Sequence, residues 1–208
     1  MLTLHYAPNT CALASHIALE QAGAAYKTVR VDFSRSEQRS SEYLRLNPKG
    51  RVPALVTDSG VLTETPAILM FVCQRYPGAG LAPLDDVFAL ARMNAFNSYL
   101  CSTVHVAHAH RMRGHRWTDD PSAIEAMKKY VPQSVGECFE LIEQEFFQGP
   151  WVMGEHYTVS DIYLFTLARW LEADGVEPKQ FPKVAEHRLR MSRLPVVAKI
   201  VGQELADS

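Results

Sequence analysis

Hydrophobic positions change their period along the chain. Up to about residue 80 short alternating runs are interleaved with short helical ones; after residue 86 the spacing is helical almost throughout. LTLHY (2 to 6) predicts a strand, and residues 11 to 22 predict a helix with Leu13, Ala14, Ile17 and Ala18 on one side, ended by Gly23. Val29, Val31 and Phe33 alternate within a second strand, Tyr26 to Phe33. VPALVTD (52 to 58) and VLTE (61 to 64) flank Ser59-Gly60 as a hairpin, and a helix runs from Pro66 to about Tyr76. That order predicts an α/β layer with a mixed sheet over residues 1–80.

PGAGLAPLDD (77 to 86) carries three prolines and two glycines, and residues 81–86 are expected to be a linker. Residues 87–208 are expected to form a second, all-α domain, a helical bundle. Ala89, Met93, Phe96, Leu100, Val104 and Ala107 recur at steps of three or four, the buried stripe of one long helix. Ser122 with Glu125 predicts a capping box, and Pro132 a kink in the helix that follows. Thr158 with Asp161 opens VSDIYLFTLARWL, apolar on all sides and therefore central to its domain. Shorter helices are expected over Lys183 to Arg193 and Val196 to Leu205.

Composition narrows the function classes. With 47% hydrophobic residues among 208 the chain can bury a sizeable core. Lys and Arg number 21 against 23 Asp and Glu, so the charge of −2 offers no broad attraction to nucleic acid or an anionic membrane. A small acidic ligand must be captured locally. MLTLHYAP has no basic segment leading into an apolar run, and no window approaches the ~18 apolar residues of a membrane span. Cys11, Cys73, Cys101 and Cys138 are widely spaced with no C-x-x-C, which fits a reducing cytoplasm better than a disulfide framework or zinc ribbon.

Three stretches carry candidate chemistry. Cys11 heads the first helix, where the partial positive charge and unpaired N–H groups of a helix N-terminus favour a thiolate; the competing reading is a small buried apolar residue. A strand, a short loop and a cysteine opening a helix is a thioredoxin-like arrangement, here lacking the second cysteine, so the thiol must meet another, soluble one. In NPKGRVPAL (47 to 55), Val52-Pro53 stands where a thioredoxin-like sheet holds a cis proline. Only about 5–6% of X–Pro bonds are cis, so the sequence leaves both isomers open. In LTETPAI (62 to 68), Thr65 is expected as N-cap and Pro66 as the first helical residue. Such a terminus binds carboxylates and Glu64 offers a counter-ion for an ammonium, unless the pattern is plain capping.

These stretches in this order resemble the glutathione transferase family over nearly the whole chain. YAPNTCALASHIALEQAG and YTVSDIYLFTLARW are most similar to its bacterial beta class, whose active-site residue is a cysteine. The resemblance implies a thioredoxin-like N-terminal domain, a helical C-terminal domain, a homodimer and glutathione as co-substrate. It places Cys11 opposite the glutathione sulfur and the Val52 backbone, before a cis Pro53, along its cysteinyl part. Glu64 and Thr65 take the γ-glutamyl end, and Arg35 lies near the position of a lysine that contacts the glycine carboxylate. His105 falls at the catalytic histidine of the class, and Tyr163 and Trp170 match aromatics lining the electrophile cleft. The class has an asparagine where Ser98 stands on the His105 helix, and some relatives have serine at position 12 where this chain has Ala12.

The implied activity is attack of the glutathione thiolate on an apolar electrophile, with disulfide reduction through Cys11 as a variant. A glutathione-dependent dehalogenase or thiol transferase, or a non-catalytic binding module on the same fold, are the alternatives. The electrophile stays open, as does the role among detoxification, redox repair and catabolism. Cys101, His105 and His108 share a helix face at metal-ligand spacing, but no carboxylate completes the set, so no metal is expected.

Overall fold

The alternation in LTLHY becomes strand β1 (Leu2–Tyr6), with Leu2, Leu4 and Tyr6 buried. In the computed structural model, which describes residues 1–206, it pairs in parallel with β2 (Tyr26–Arg30) and antiparallel with β3 (Ala54–Thr57), which pairs antiparallel with β4 (Gly60–Thr63). The sheet order β2-β1-β3-β4 is the mixed, thioredoxin-like arrangement that the sequence predicts. β2 ends three residues earlier than expected, at Arg30. As an edge strand it leaves Val29 exposed, while Val31 is buried just beyond it and donates its N–H to Tyr6.

Helix α1 (Ala12–Gln21) follows β1 and is buried from Ala12 to Leu19. Gly23, at φ +64, adopts the left-handed conformation that ends a helix at low cost. A short helix, α2 (Ser41–Leu46), precedes β3, and α3 (Thr65–Arg75) follows β4. Thr65 is the first residue of α3 rather than its cap. The N-cap is Glu64, at φ +72 and ψ +121, a conformation that sequence propensity does not suggest for glutamate.

The chain forms two compact units: Met1–Leu90 together with the residues from Ser192 onward, and Ala91–Met191. The run expected as a linker lies inside the first unit. Pro77–Ala79 is a 3-10 turn, Leu81 is buried, and its carbonyl accepts the Cys73 thiol at 3.7 Å. The last helix, α9 (Pro195–Ala206), also joins the first unit by packing on α1. His16 Nδ1 meets Glu204 Oε1 at 2.9 Å with both side chains buried, and Lys199 pairs with Glu20, whose other oxygen accepts the Tyr26 hydroxyl at 2.8 Å.

The second unit is helical: the remainder of α4 (Val87–Tyr99), α5 (His105–Arg113), α6 (Pro121–Leu141), α7 (Val159–Ala168) and α8 (Pro182–Ser192). The stripe Met93, Phe96, Leu100, Val104 and Ala107 is buried, but a π-helical turn at Leu100–Val104 interrupts the single helix expected there. Every residue of α7 is buried, as its all-round apolarity predicts. The Thr158–Asp161 capping box is present; Asp161 also accepts Val152 N–H at 2.8 Å and His187 Nε2 at 3.1 Å. The Ser122 box is corrected. α6 begins at Pro121 and its cap is Asp120, which accepts Ser122 N–H at 2.8 Å; Pro132 lies within an unbroken helix.

Glu204→Ala removes the carboxylate that His16 faces across α1 and α9. It is expected to lower the unfolding free energy by about 1–3 kcal/mol, the cost of orphaning a buried polar group, as read by urea denaturation. An unchanged midpoint would assign the α1–α9 contact to apolar packing alone.

Candidate active site

The loop between β1 and α1 turns on Asn9, whose φ of +57 is left-handed, and on Thr10, whose hydroxyl donates to the Ala7 carbonyl at 2.7 Å. This sets Cys11 as the N-cap of α1, where the helix macrodipole acts on it. The first-turn N–H groups are already engaged: Ala12 with Thr10 Oγ1, Leu13 with the Thr10 carbonyl and Ala14 with the Cys11 carbonyl. The Cys11 side chain accepts no capping bond from them. Its Sγ instead donates to the Val52 carbonyl at 3.5 Å, so the structure joins two of the three stretches that sequence singles out.

Val52–Pro53 is cis, which resolves the alternative that the sequence leaves open. The approach to it is fixed from outside the motif. Asn47, 1% exposed, donates its side-chain amide to the Arg51 carbonyl at 2.6 Å, and the Tyr43 hydroxyl donates to the same oxygen at 2.7 Å. Gly50, at φ +60, closes the turn by donating to the Asn47 carbonyl; a Cβ there would stand 2.9 Å from the Gln38 carbonyl.

The third stretch sits at the start of α3. Thr65 is buried and Glu64 is exposed, its side chain 53% accessible. Ile68 N–H closes the first intrahelical bond to the Glu64 carbonyl, so helix geometry leaves the Thr65 and Ala67 N–H groups outside the ladder, an anion-binding end. Glu64 has a cationic partner that the sequence reading missed: Lys49 Nζ lies 2.6 Å from Glu64 Oε1 and 2.7 Å from Thr63 Oγ1. A lysine ammonium thus stands where Glu64 is expected to hold the ammonium of a ligand. Holding Glu64 at a positive φ costs of the order of 1–3 kcal/mol, strain that is typical of ligand clamps.

Arg35 is exposed in the turn after β2, where its backbone N–H donates to Asp32 at 3.4 Å. In the second unit His105 opens α5 directly after the π-helical turn, partly exposed, its ring 5.2 Å from that of Trp170. Trp170 is also partly exposed. Tyr163, by contrast, is 1% exposed on α7, in a core position. Ser98 is exposed; its neighbour Asn97 is buried and bonded to Ser160 at 2.9 Å. Among the described residues no three His, Cys, Asp or Glu side chains are grouped to hold a metal ion, and no helix is long and apolar enough to cross a membrane.

Residues 1–74 match the model of the glutathione S-transferase N-terminal domain, and residues 104–195 that of the C-terminal domain. The chain is 29% identical to glutathione S-transferase GstA of Escherichia coli O157:H7, over 98% of both chains. Its fold is similar to a glutathione transferase homologue from Sulfitobacter with bound glutathione, at 43% identity and a TM-score of 0.95 over 98% of each chain. A bacterial beta class glutathione S-transferase from Sphingomonas chungbukensis is similar at 31% identity and a TM-score of 0.84, covering 97% of this chain and 98% of its own.

The four cysteines differ in environment, Cys73 and Cys138 being buried and Cys11 and Cys101 partly exposed. Burial pushes the Cys73 thiol up to about 12 and raises that of Cys138, whereas Cys11 is partly exposed at a helix N-terminus. Brief treatment of the native protein with iodoacetamide near pH 7.5 is expected to label Cys11 well before Cys73 and Cys138, with Cys101 as the partly exposed internal control. Peptide mass mapping checks it, and labelling of Cys11 no faster than Cys101 would contradict an activated thiol.

Proposed function

This chain belongs to the glutathione S-transferase family and is an enzyme that uses glutathione as co-substrate; we propose that it joins the glutathione thiolate to apolar electrophiles at Cys11. The observation that supports this reading most is the hydrogen bond from the Cys11 thiol to the Val52 carbonyl at the cis peptide. It sets the one sulfur at a helix head against the backbone that an extended cysteinyl group would pair with. When glutathione binds, its cysteinyl N–H takes the Val52 carbonyl and releases the Cys11 thiol to face the glutathione sulfur.

The γ-glutamyl end is proposed to lie at Glu64 and Thr65. Its carboxylate accepts from the N-terminus of α3, and its ammonium replaces Lys49 on Glu64. Both ions of that pair are substantially exposed, so exchanging one ammonium for another costs little. Arg35 is proposed for the glycine carboxylate, by charge and exposure alone. The units are assigned accordingly, glutathione to the first and the electrophile to the second, where Trp170 supplies aromatic surface and His105 an imidazole able to exchange a proton with the reacting groups. Tyr163 is assigned to the core.

In conjugation the glutathione thiolate attacks the electrophilic carbon, a carbon–sulfur bond forms, and the leaving group departs with its electron pair. The dipole of α1 favours the thiolate before attack. A second reading is favoured by the partial exposure of Cys11 at the head of α1. Its thiolate attacks a glutathione mixed disulfide, forming a Cys11–glutathione disulfide and expelling the other thiolate; a second glutathione thiolate then regenerates Cys11 and leaves as glutathione disulfide. We also assign the chain to the cytoplasm, on its reduced cysteines, and to a homodimer. The support for a dimer is the exposed apolar pair Val87 and Phe88, 84% and 75% accessible at the start of α4.

Incubation with glutathione disulfide is expected to add one glutathione to the protein mass, mapped to Cys11. Cys11→Ala should abolish the adduct and the disulfide reductase activity while lowering conjugation of an activated chloronitroarene less severely. Full retention of both activities would remove Cys11 from the mechanism. Phe88→Asp is expected to halve the mass seen by sedimentation velocity, and an unchanged sedimentation coefficient would place any dimer contact elsewhere.

A further inference from the structure

Two buried carboxylates of the second unit each hold a histidine, and they differ in what the histidine does next. Asp161 and His187 are both 0% exposed at the side chain, and Asp161 is saturated by Thr158, Val152 and His187, so that pair is sealed inside the fold. Asp174 is nearly as buried, at 2%, but its histidine, His108, is 14% exposed. His108 Nδ1 lies 2.9 and 2.7 Å from the two Asp174 oxygens, and Arg111 Nε meets the same carboxylate at 3.1 Å while its Nη1 donates to the Ala173 carbonyl at 2.7 Å.

A carboxylate only accepts, so the proton of this contact sits on Nδ1, and Nε2 is directed away from Asp174 across the ring. The His108 ring is also stacked on Trp170, with centroids 4.1 Å apart and planes 24° from parallel. His105 completes the group, 5.2 Å from Trp170 and 6.2 Å from His108. One partly exposed indole is therefore flanked by two imidazoles, one of them oriented by a buried carboxylate. A phenylalanine at 108 would stack on Trp170 equally well and would require no buried aspartate, whose desolvation only its partners offset. Packing alone therefore does not account for the arrangement.

We propose that His108, oriented by Asp174 and stacked on Trp170, is a specificity-determining residue that favours planar electrophiles carrying a carboxylate. The ring of the electrophile takes the indole surface, and in the bound state its carboxylate accepts from Nε2–H of a doubly protonated His108 ring whose Nδ1–H is held by Asp174. The proposal rests on the assignment of Trp170 and His105 to the electrophile, but not on the chemistry of Cys11.

The test compares binding of 4-nitrobenzoate and its neutral isostere 4-nitrobenzamide to the intact enzyme at pH 6.5 by calorimetry. The wild type is expected to bind the acid about ten-fold more tightly, the size of one charge-assisted hydrogen bond partly offset by solvation. His108→Phe, which keeps the stack, should remove the preference, and Asp174→Asn should reduce it. In the wild type the His108 Cε1–H resonance should move on titration with the acid and not with the amide. Equal affinities in the wild type, a preference that survives His108→Phe, or a stationary His108 resonance would each overturn the proposal. A protein that takes up glutathione at Cys11 yet shows no acid preference sinks only this inference; acid preference without the Cys11 adduct sinks only the thiol assignment.

Discussion

One carbonyl oxygen, that of Arg51, organises the approach to the cis peptide Val52–Pro53. It accepts from both Asn47 and Tyr43, and both donors are buried, so the chain entering Val52–Pro53 is clamped. Two bonds from buried donors to one oxygen leave little room for the loop to shift without orphaning a donor. The next carbonyl, Val52, is thereby presented where Cys11 Sγ reaches it. The position of the Cys11 sulfur is consequently set from two directions, by the loop before α1 and by a clamp some forty residues later that touches no sulfur at all.

The same unit is closed from its far end. α1 carries Cys11 at its head and His16 in its middle, and His16 is held by Glu204 on the last helix while its ring meets those of Tyr6 and Tyr26. The final helix is therefore part of the structural support of the α/β unit, although the chain makes it last and in a helical context. A helix that bears a functional group at its N-terminus needs fixed azimuth and height. Burying an imidazole–carboxylate pair on its flank fixes both more directionally than apolar contact alone.

How much of this was legible follows from the range of the interactions concerned. The strands, the helices and the all-round burial of α7 were legible because hydrophobic period is a local property. Cys11, Val52-Pro53 and Glu64-Thr65 stood out by local chemistry and by likeness to a family. The α3 cap was misread because Thr65 has the higher capping propensity; the backbone places Glu64 there at positive φ, a choice imposed by the tertiary setting. The Ser122 box failed for a simpler reason: Asp120, two residues earlier and directly before Pro121, is an equally good cap. Lys49, Asn47, Asp174 and Glu204 were not legible at all, since their partners lie 15, 4, 66 and 188 residues away and nothing in their own neighbourhood marks them.

The two buried aspartates of the helical unit show why a charged side chain in a core is not one kind of evidence. Asp161 accepts four hydrogen bonds, two from Thr158 at the cap of α7, one from Val152 N–H and one from His187, and the nearby N–H donors alone would explain its burial. Asp174 has no such local set. Its oxygens are met by two side chains of α5, His108 and Arg111, one turn apart on the helix that begins at His105. The aspartate after α7 therefore fixes the face of α5 on which both imidazoles lie, and with it the rotation of that helix beyond the π-helical turn at Leu100–Val104. A π turn shifts the register of everything after it, so the residues that follow need a new anchor. Asp174 is that anchor, and the ring it grips is the one that reaches Trp170.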